Sequence, residues 1–382
     1  MSKRLAIFVH SLYGGGAERA MLNLARGFSE QGIQVDLVLL RVEGAYLSQL
    51  PPEVRVIDLG GKRLWQSLPA LVNYLCHEQP PVMLSTLDDT NIAALWVRRL
   101  SGSKTRLVVN VQNTISQDAK TATQLKTRLM PLLTRWFFRW ADAVVTVSHG
   151  VADDLVNLGV ATDCIHVIPN PVITPEIFKR GREAIDHPWF APNQLPVILG
   201  VGRLNQQKNF STLIQALAQV QKQRPCRLVI LGEGEEEDSL KRLIEDLELS
   251  DVVDLPGFVS NPYGYMARSA VFVLSSLFEG LPSVLIEALA MGTSVVATNC
   301  KSGPMEILEN GKYGKLVNVG DVEKIANAIL ATLESPMDAD MLRQRACKFS
   351  LERSLTEYAQ VLQLSSLGVF PSALPRRIQK YI

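Results

Sequence analysis

Short apolar blocks recur along the chain, each closed by glycine, serine or asparagine and followed by helix-like spacing. Residues 5–9 read as a buried strand. From Ala17 the apolar residues Ala17, Ala20, Met21, Leu24, Ala25 and Phe28 fall at i, i+3, i+4, i+7, i+8 and i+11, one face of an amphipathic helix. Residues 34–40 read as the next strand. Strand, glycine loop, helix, strand is the unit of a parallel α/β sheet. Strands at 82–85, 107–111 and 143–147 continue the rhythm. The spacing over 121–140 predicts one long amphipathic helix, whose leucines pack on the sheet while Lys126, Arg128, Arg135 and Arg139 face water. Residues 171–196 are proline-rich and irregular, as in a linker.

A second series follows. It expects strands at 197–201, 227–231, 252–255, 270–276 and 294–298, and helices at 210–223, 236–247, 322–333 and 351–364. Residues 365–382 read as a weakly ordered basic tail. A chain of 382 residues exceeds what one core usually supports. The fold class is therefore α/β, with two Rossmann-like, doubly wound parallel-sheet domains facing a cleft. The first domain spans 1–175, a linker 176–195, and the second domain 196–349.

Composition changes little: 47% hydrophobic and 20% charged residues are ordinary for a globular chain. Charge is more telling. Net charge is +1, yet residues 98–140 carry nine Lys or Arg against one acid, Asp118. A solvated helix face does not explain that excess, and an anionic membrane surface does. Nucleic acid is the other electrostatic partner, but no nucleic-acid motif accompanies the patch, so none is expected. Five scattered cysteines form no CxxC pair, which fits a reducing compartment without structural zinc. The apolar run after Lys3-Arg4 is too short for a signal-peptide core, and no stretch is long enough to span a bilayer. A cytoplasmic protein follows.

The chemistry centres on Glu279-Gly280-Leu281-Pro282-Ser283-Val284-Leu285-Ile286-Glu287. A buried strand ends here, Pro282 suits a first helical turn, and Gly292 suits the helix end. The loop amides and the helix N-terminus make an anion site. Glu287 is the only charge from 283 to 291. Taken alone, the two acids fit helix-end positions as well as functional ones. Gly202-Arg203-Leu204, with Lys208 and Asn209, follows the first strand of the second domain on the same edge. Its two cations suit a diphosphate. Gly232-Glu233-Gly234 repeats the strand-then-glycine arrangement.

In the first domain, Gly14-Gly15-Gly16 lacks the third glycine of a dinucleotide fingerprint, because Arg19 stands there. It reads as a tight turn, or as backbone able to approach a phosphate or sugar. There is no P-loop, no metal-ligand cluster and no acyl-hydrolase elbow. Asp88-Asp89 and Asp153-Asp154 read as solvated or capping pairs.

Taken together, Gly-Gly-Gly-Ala-Glu-Arg at 14–19, Gly202-Arg203-Leu with Lys208-Asn209, Gly232-Glu233-Gly234 and Glu279-x7-Glu287 resemble the retaining glycosyltransferases of family four, of the GT-B fold. The run Ser302-Gly303-Pro304-Met305-Glu306-Ile307-Leu308, with Gly311 and Tyr313-Gly314, resembles the branch that builds bacterial surface polysaccharides such as lipopolysaccharide, O-antigen and exopolysaccharide, hexosamine transferases among them. The resemblance runs in order over roughly residues 5–362.

It implies a nucleotide-sugar donor, usually a UDP-sugar, held mainly by the second domain. Arg203 and Lys208 would hold the diphosphate, Glu287 the ribose and Glu279 the moving sugar. Gly202, Gly232 and Glu233 would line the donor site. Phe258 and Val259 would hold the base, and amides around Gly280, Leu281, Pro282 and Ser283 would cap the phosphates. Gly15 and Gly16 would approach the donor from the first domain. Residues 350–364 would cross back onto that domain. Transfer would proceed with retention, without metal or cofactor, onto a lipid-linked glycan at the cytoplasmic face of the inner membrane. Many relatives carry a histidine where Gln112 stands, so Gln112 and Asn113 are the acceptor-side contacts expected here. A sugar-nucleotide epimerase of the same fold and a non-catalytic nucleotide-sugar-binding protein are the alternatives.

Overall fold

The computed structural model describes residues 4–13 and 15–364; Gly14 and the 365–382 tail lie outside them. Two compact units result: of the described residues, those up to 172 and 351–364 form one, and residues 173–350 the other.

Unit one holds a seven-stranded parallel sheet. Its strands are β1 (Arg4–Val9), β2 (Gln34–Leu39), β3 (Arg55–Asp58), β4 (Val82–Thr86), β5 (Arg106–Val111), β6 (Ala143–Thr146) and β7 (Ile165–Val167), and its helices α1 (Gly16–Glu30), α2 (Leu64–Glu78), α3 (Asp88–Ser101), α4 (Ile115–Thr121), α5 (Leu125–Phe137) and α6 (His149–Asn157). The order β3-β2-β1-β4-β5-β6-β7 reverses direction between β1 and β4. Central strands are apolar on both faces because helices cover both, which is why they stand out as continuous runs. Edge strand β3 is largely exposed and carries no such run.

One expectation fails in this unit. Residues 121–140 are not one helix: α4 ends at Thr121, Ala122 is extended, and α5 begins at Leu125. The leucines of α5 do not pack on the sheet either. Met130 and Thr134 are its buried residues, whereas Leu125, Leu129, Leu132 and Trp136 face solvent.

Unit two holds a six-stranded parallel sheet, β8 (Val197–Val201), β9 (Arg227–Leu231), β10 (Val253–Gly257), β11 (Val271–Leu274), β12 (Val295–Thr298) and β13 (Lys315–Val317), in the order β10-β9-β8-β11-β12-β13. Its helices are α7 (Pro175–Gly181), α8 (Phe210–Val220), α9 (Glu237–Asp246), α10 (Pro262–Met266), α11 (Ser283–Met291), α12 (Pro304–Ile307), α13 (Val322–Glu334) and α14 (Ala339–Ala346). The 176–195 stretch is not a linker but part of this unit. Pro175 opens α7 at a helix start, where its missing N–H is no loss. Gly181 then fits so tightly against Met291 of α11 that a Cβ would stand 2.5 Å from its sulfur. Buried His187 holds Asp254 of β10 at 2.9 Å.

The last helix, α15 (Leu351–Val361), belongs to unit one. Leu351, Leu355, Tyr358, Ala359 and Leu362 enter the core formed by α1 and the β1–β2–β4–β5–β6 face. Asn110 on β5 donates to the Tyr358 hydroxyl at 2.9 Å, and Arg106 donates to the Val361 carbonyl at 3.2 Å.

Candidate active site

All strands of unit two run parallel, so the loops after β8, β9, β10, β11 and β12 gather at one edge. The sheet order reverses between β8 and β11, and ligands of doubly wound sheets bind in the crevice at that point. The loops flanking it are 202–209 and 275–282, the two stretches that carry Arg203, Lys208 and Glu279.

These loops are stitched together. The Lys208 ammonium donates to Glu279 Oε1 at 2.6 Å, across 71 residues of sequence. Ser276 donates its hydroxyl to the same oxygen, also at 2.6 Å. Both ionic side chains are largely buried, so each supplies the counter-charge that makes the other's burial tolerable. Gln207 donates to the Phe278 carbonyl at 2.9 Å and accepts the Leu277 amide through its own carbonyl at 2.8 Å. Ser275 donates to the Lys208 carbonyl at 2.8 Å. Arg203 is exposed, and its side chain has neither hydrogen bond nor ion pair among the described residues. It is a cation left available for a ligand.

Behind the crevice the glycines interlock. Gly232 has φ 139°, and a Cβ there would stand 1.9 Å from the Gly202 carbonyl oxygen; one on Gly234 would stand 2.2 Å from that of Leu204. The Leu204 amide donates to the Glu233 carbonyl at 2.9 Å. Glu233 Oε1 in turn accepts the Phe258 amide at 3.4 Å, and the Phe258 ring is exposed. On the far side, Ser302 donates to the Gly280 carbonyl at 2.9 Å, and Gly303, at φ 87°, packs where a Cβ would meet Pro282 at 2.5 Å.

Pro282 is the N-cap of α11 rather than a residue of its first turn, and its side chain makes no cap hydrogen bond. Gly292 closes the helix in the left-handed conformation, as expected. Glu287 is the fifth residue of α11, buried, with the Tyr263 hydroxyl at 3.4 Å from its Oε1. Val259 lies half-buried in the loop after β10. Cys300, buried near Glu279, is pushed up to about 12 by burial and by that carboxylate, which removes it as a nucleophile.

Unit one has its own reversal, between β1 and β4. Gly15 caps α1 and Gly16 opens it, and a Cβ on Gly15 would collide with the Glu18 carboxylate at 2.3 Å. Gln112 is half-buried and hydrogen-bonded within unit one. It donates to Asn110 and to Asn170 (3.2 Å), and accepts from Asn170 at 2.7 Å, inside a network that reaches Thr86 and Tyr358. A neutral imidazole, with one donor and one acceptor, could make only two of those three hydrogen bonds. Asn113 donates to Asp118 at 3.0 Å, while its Oδ1 is buried without a hydrogen-bond partner. Asp153 is exposed, but Asp154 is buried and accepts the Ser116 amide at 3.0 Å, capping α4.

Asp88 opens α3 after Leu87, which is held at φ 76°. Burial, then the charges of Asp118, Asp89 and Asp154, push its carboxyl up to about 7. The folded protein therefore binds a proton at Asp88 that the unfolded chain releases near 4, so stability falls as pH rises between these values. Asp88→Asn is expected to exceed the parent in urea stability by on the order of 2 kcal/mol above pH ~7 and to match it below pH ~4. Equal stability at both pH values would contradict the account.

Sequence reasoning missed Ser276 and Gln207. Their cue was weak, since serine and glutamine in loops are common; only the partner loops give them a role. Among the described residues no group of three His, Cys, Asp or Glu is placed to hold a metal ion.

Comparison with known proteins places this geometry. Residues 14–175 match the model of Glycosyltransferase Family 4, and residues 181–349 that of Glycosyl transferases group 1. The chain is 32% identical over 358 residues (90% of this chain, 92% of the relative) to the N-acetylgalactosamine-N,N'-diacetylbacillosaminyl-diphospho-undecaprenol 4-alpha-N-acetylgalactosaminyltransferase of Campylobacter jejuni. It is 29% identical over 320 residues (82% and 84%) to the lipopolysaccharide core biosynthesis glycosyltransferase LpsE of Rhizobium meliloti. Among solved structures, Anabaena HepE in complex with UDP and glucose superposes with a TM-score of 0.78 at 22% identity, covering 95% of this chain and 99% of that one. The apo outer-core galactosyltransferase WaaB does so with a TM-score of 0.72 at 18% identity, with the same coverage. With its two parallel-sheet units, its crevice carrying Lys208 and Glu279, and relatives named for bacterial surface-glycan synthesis, the chain belongs to glycosyltransferase family four and has the GT-B fold.

Proposed function

We infer that this glycosyltransferase moves a hexosamine or hexose from a UDP-sugar to a lipid-linked glycan, with retention and without a metal ion. The observation that carries the reading is the Lys208–Glu279 pair set across the β8/β11 reversal beside the unpartnered Arg203. Arg203 and Lys208 neutralise the diphosphate as it departs, in place of a divalent cation, and the N-terminus of α11, where Pro282 offers no side-chain cap, adds its amides. Glu279 orients the sugar hydroxyls and Glu287 those of the ribose, while Phe258 and Val259 meet the base. The bond from the anomeric carbon to the diphosphate breaks, and the acceptor oxygen bonds to that carbon on the same face. The departing diphosphate takes the acceptor's proton. The two carboxylates bind and orient; neither serves as nucleophile.

Support for a UDP-sugar comes from the HepE structures, solved in complex with UDP and glucose and with UDP-glucose. Support for a lipid-linked acceptor comes from the undecaprenol-linked substrate in the Campylobacter relative's name. Unit one takes the acceptor, and the protein works at the cytoplasmic face of the membrane that holds it. No described helix is long and apolar enough to cross a membrane, and the basic 98–140 segment supplies the attraction to an anionic leaflet.

The test is a panel of UDP- and GDP-sugars followed for nucleotide release, with and without undecaprenyl-linked acceptor, in EDTA. Release that needs acceptor and survives EDTA supports the reading. Isomerisation of the free sugar nucleotide would point to an epimerase, and binding without turnover to a non-catalytic protein. Arg203→Ala is expected to lower kcat by about a hundredfold and leave the denaturation midpoint unchanged, because Arg203 holds nothing else in place. Parental activity in that variant would remove Arg203 from the site.

A further inference from the structure

Glu279 carries its carboxylate on a long side chain whose last torsion, the turning of the carboxylate plane, is broad. The torsion alone therefore does not decide which oxygen faces a ligand. Lys208 meets Oε1 at 2.6 Å, but an ammonium on a flexible stem is a point charge that follows the carboxylate as it turns. Ser276 meets the same Oε1 at 2.6 Å, from a short side chain that is fully buried. A short donor on a fixed backbone is what can hold the plane still. Oε2 takes no hydrogen bond among the described residues and is not one of the buried oxygens that lack a partner, so a ligand can reach it.

The Ser276 hydroxyl is not needed to secure its own loop. Serine in a loop commonly turns its hydroxyl onto nearby backbone. Here the backbone is held by other groups. Thr298 of β12 donates to the Ser276 carbonyl at 2.6 Å, Ser275 donates to the Lys208 carbonyl at 2.8 Å, and the Leu277 amide donates to the Gln207 carbonyl at 2.8 Å. With both neighbours anchored, the hydroxyl has one partner among the described residues, Glu279 Oε1.

We propose that Ser276 is a positioning residue of the donor site: it pins Glu279 Oε1, so that Oε2 alone turns to the donor sugar and accepts one of its hydroxyl hydrogens. This rests on the reading that Glu279 orients the sugar, and deepens it by naming the atom that does so. An ionised carboxylate only accepts hydrogen bonds, so the donor sugar must present a hydroxyl at that point.

The experiment is a double-variant cycle on the full chain. It reads kcat with UDP-glucose, UDP-galactose and their N-acetyl counterparts in the presence of undecaprenyl-linked acceptor, the Kd for UDP alone, and thermal unfolding. With whichever sugar the parent turns over, Ser276→Ala is expected to lower kcat by about tenfold. Its Kd for UDP should stay at the parent value, because UDP has no sugar for Glu279 to meet. Ser276→Cys, which keeps a weak donor of similar size, should fall between the two. In a Glu279→Ala background, adding Ser276→Ala should change kcat by less than about twofold, since no carboxylate is left to orient. Where turnover in that background is too slow to measure, the same cycle is read on the Kd for the UDP-sugar.

If Ser276→Ala is unfolded at the assay temperature, Ser276→Cys carries the cycle with the same expected order. Parental kcat in a folded Ser276→Ala would overturn the positioning role and leave the donor reading standing. So would a loss of equal size in the Glu279→Ala background, or a matching loss of affinity for UDP alone, because either would mean that Ser276 supports the loop and not the carboxylate. A parent that binds neither UDP nor any of the four UDP-sugars would overturn the donor reading and the positioning role together.

Discussion

Lys208→Ala is expected to lower kcat by about two to three orders of magnitude and also to destabilise unit two by roughly 3 kcal/mol. The first effect comes from the missing cation at the departing diphosphate. The second comes from Glu279, which would keep its buried position with Ser276 as its remaining hydrogen-bond partner among those described above. The two effects separate in the double variant. Lys208→Ala with Glu279→Gln removes the stranded charge, so the denaturation midpoint should recover most of the loss while turnover stays at the single-variant level or below. Recovery of both together would mean that Lys208 acts only on the fold. Recovery of neither would mean that the pair is not what secures the two loops.

Gly232→Ala is the second large effect. The residue sits at φ 139°, and a methyl group would stand 1.9 Å from a backbone oxygen of the neighbouring loop, which has no rotamer to move into. The cost is expected at about 3 kcal/mol, from backbone strain plus displacement of the Gly202 loop. Displacing that loop shifts Arg203 and Lys208, so the Kd for UDP measured by calorimetry should rise by at least about tenfold even in the folded fraction. Gly102→Ala is the control: its φ is also positive, 64°, but nothing lies within 4 Å. It should lose stability without any change in UDP affinity.

The strands were legible because parallel strands covered on both faces are continuous apolar runs, and β8, β9 and β5 fall at or within a residue of where that pattern puts them. β3 was not, because an edge strand reading Arg-Val-Ile-Asp has no apolar run to see. The break before α5 was illegible for the opposite reason: a helix apolar on two sides has no single face from which periodicity can set its register. The 176–195 stretch shows how proline misleads. Pro175 and Pro188 each start a helical turn rather than marking an open linker.

At the site, the residues were readable and their bonds were not. Glu279 and Lys208 announce themselves by charge in otherwise apolar or glycine-rich surroundings. That one neutralises the other follows only from the β8–β11 adjacency, which no local pattern encodes. Gln112 is the reverse case, a residue noticed for what it replaces and then found hydrogen-bonded to Asn110 and Asn170 within the fold.

The placement of α15 sets an order of events during synthesis. The core of unit one includes Leu355, Tyr358 and Leu362, and Asn110 finds the Tyr358 hydroxyl only when that helix arrives. Every described residue of unit two lies between residue 172 and that helix. At ribosomal elongation rates the gap lasts on the order of tens of seconds. During that interval the first sheet is made but its α1 side lacks part of its cover, while the second unit emerges whole. The unit translated second can therefore reach its native state before the unit translated first. The nascent first half, with Phe28 and the β1 and β4 faces partly open, is the species that a chaperone would have to hold.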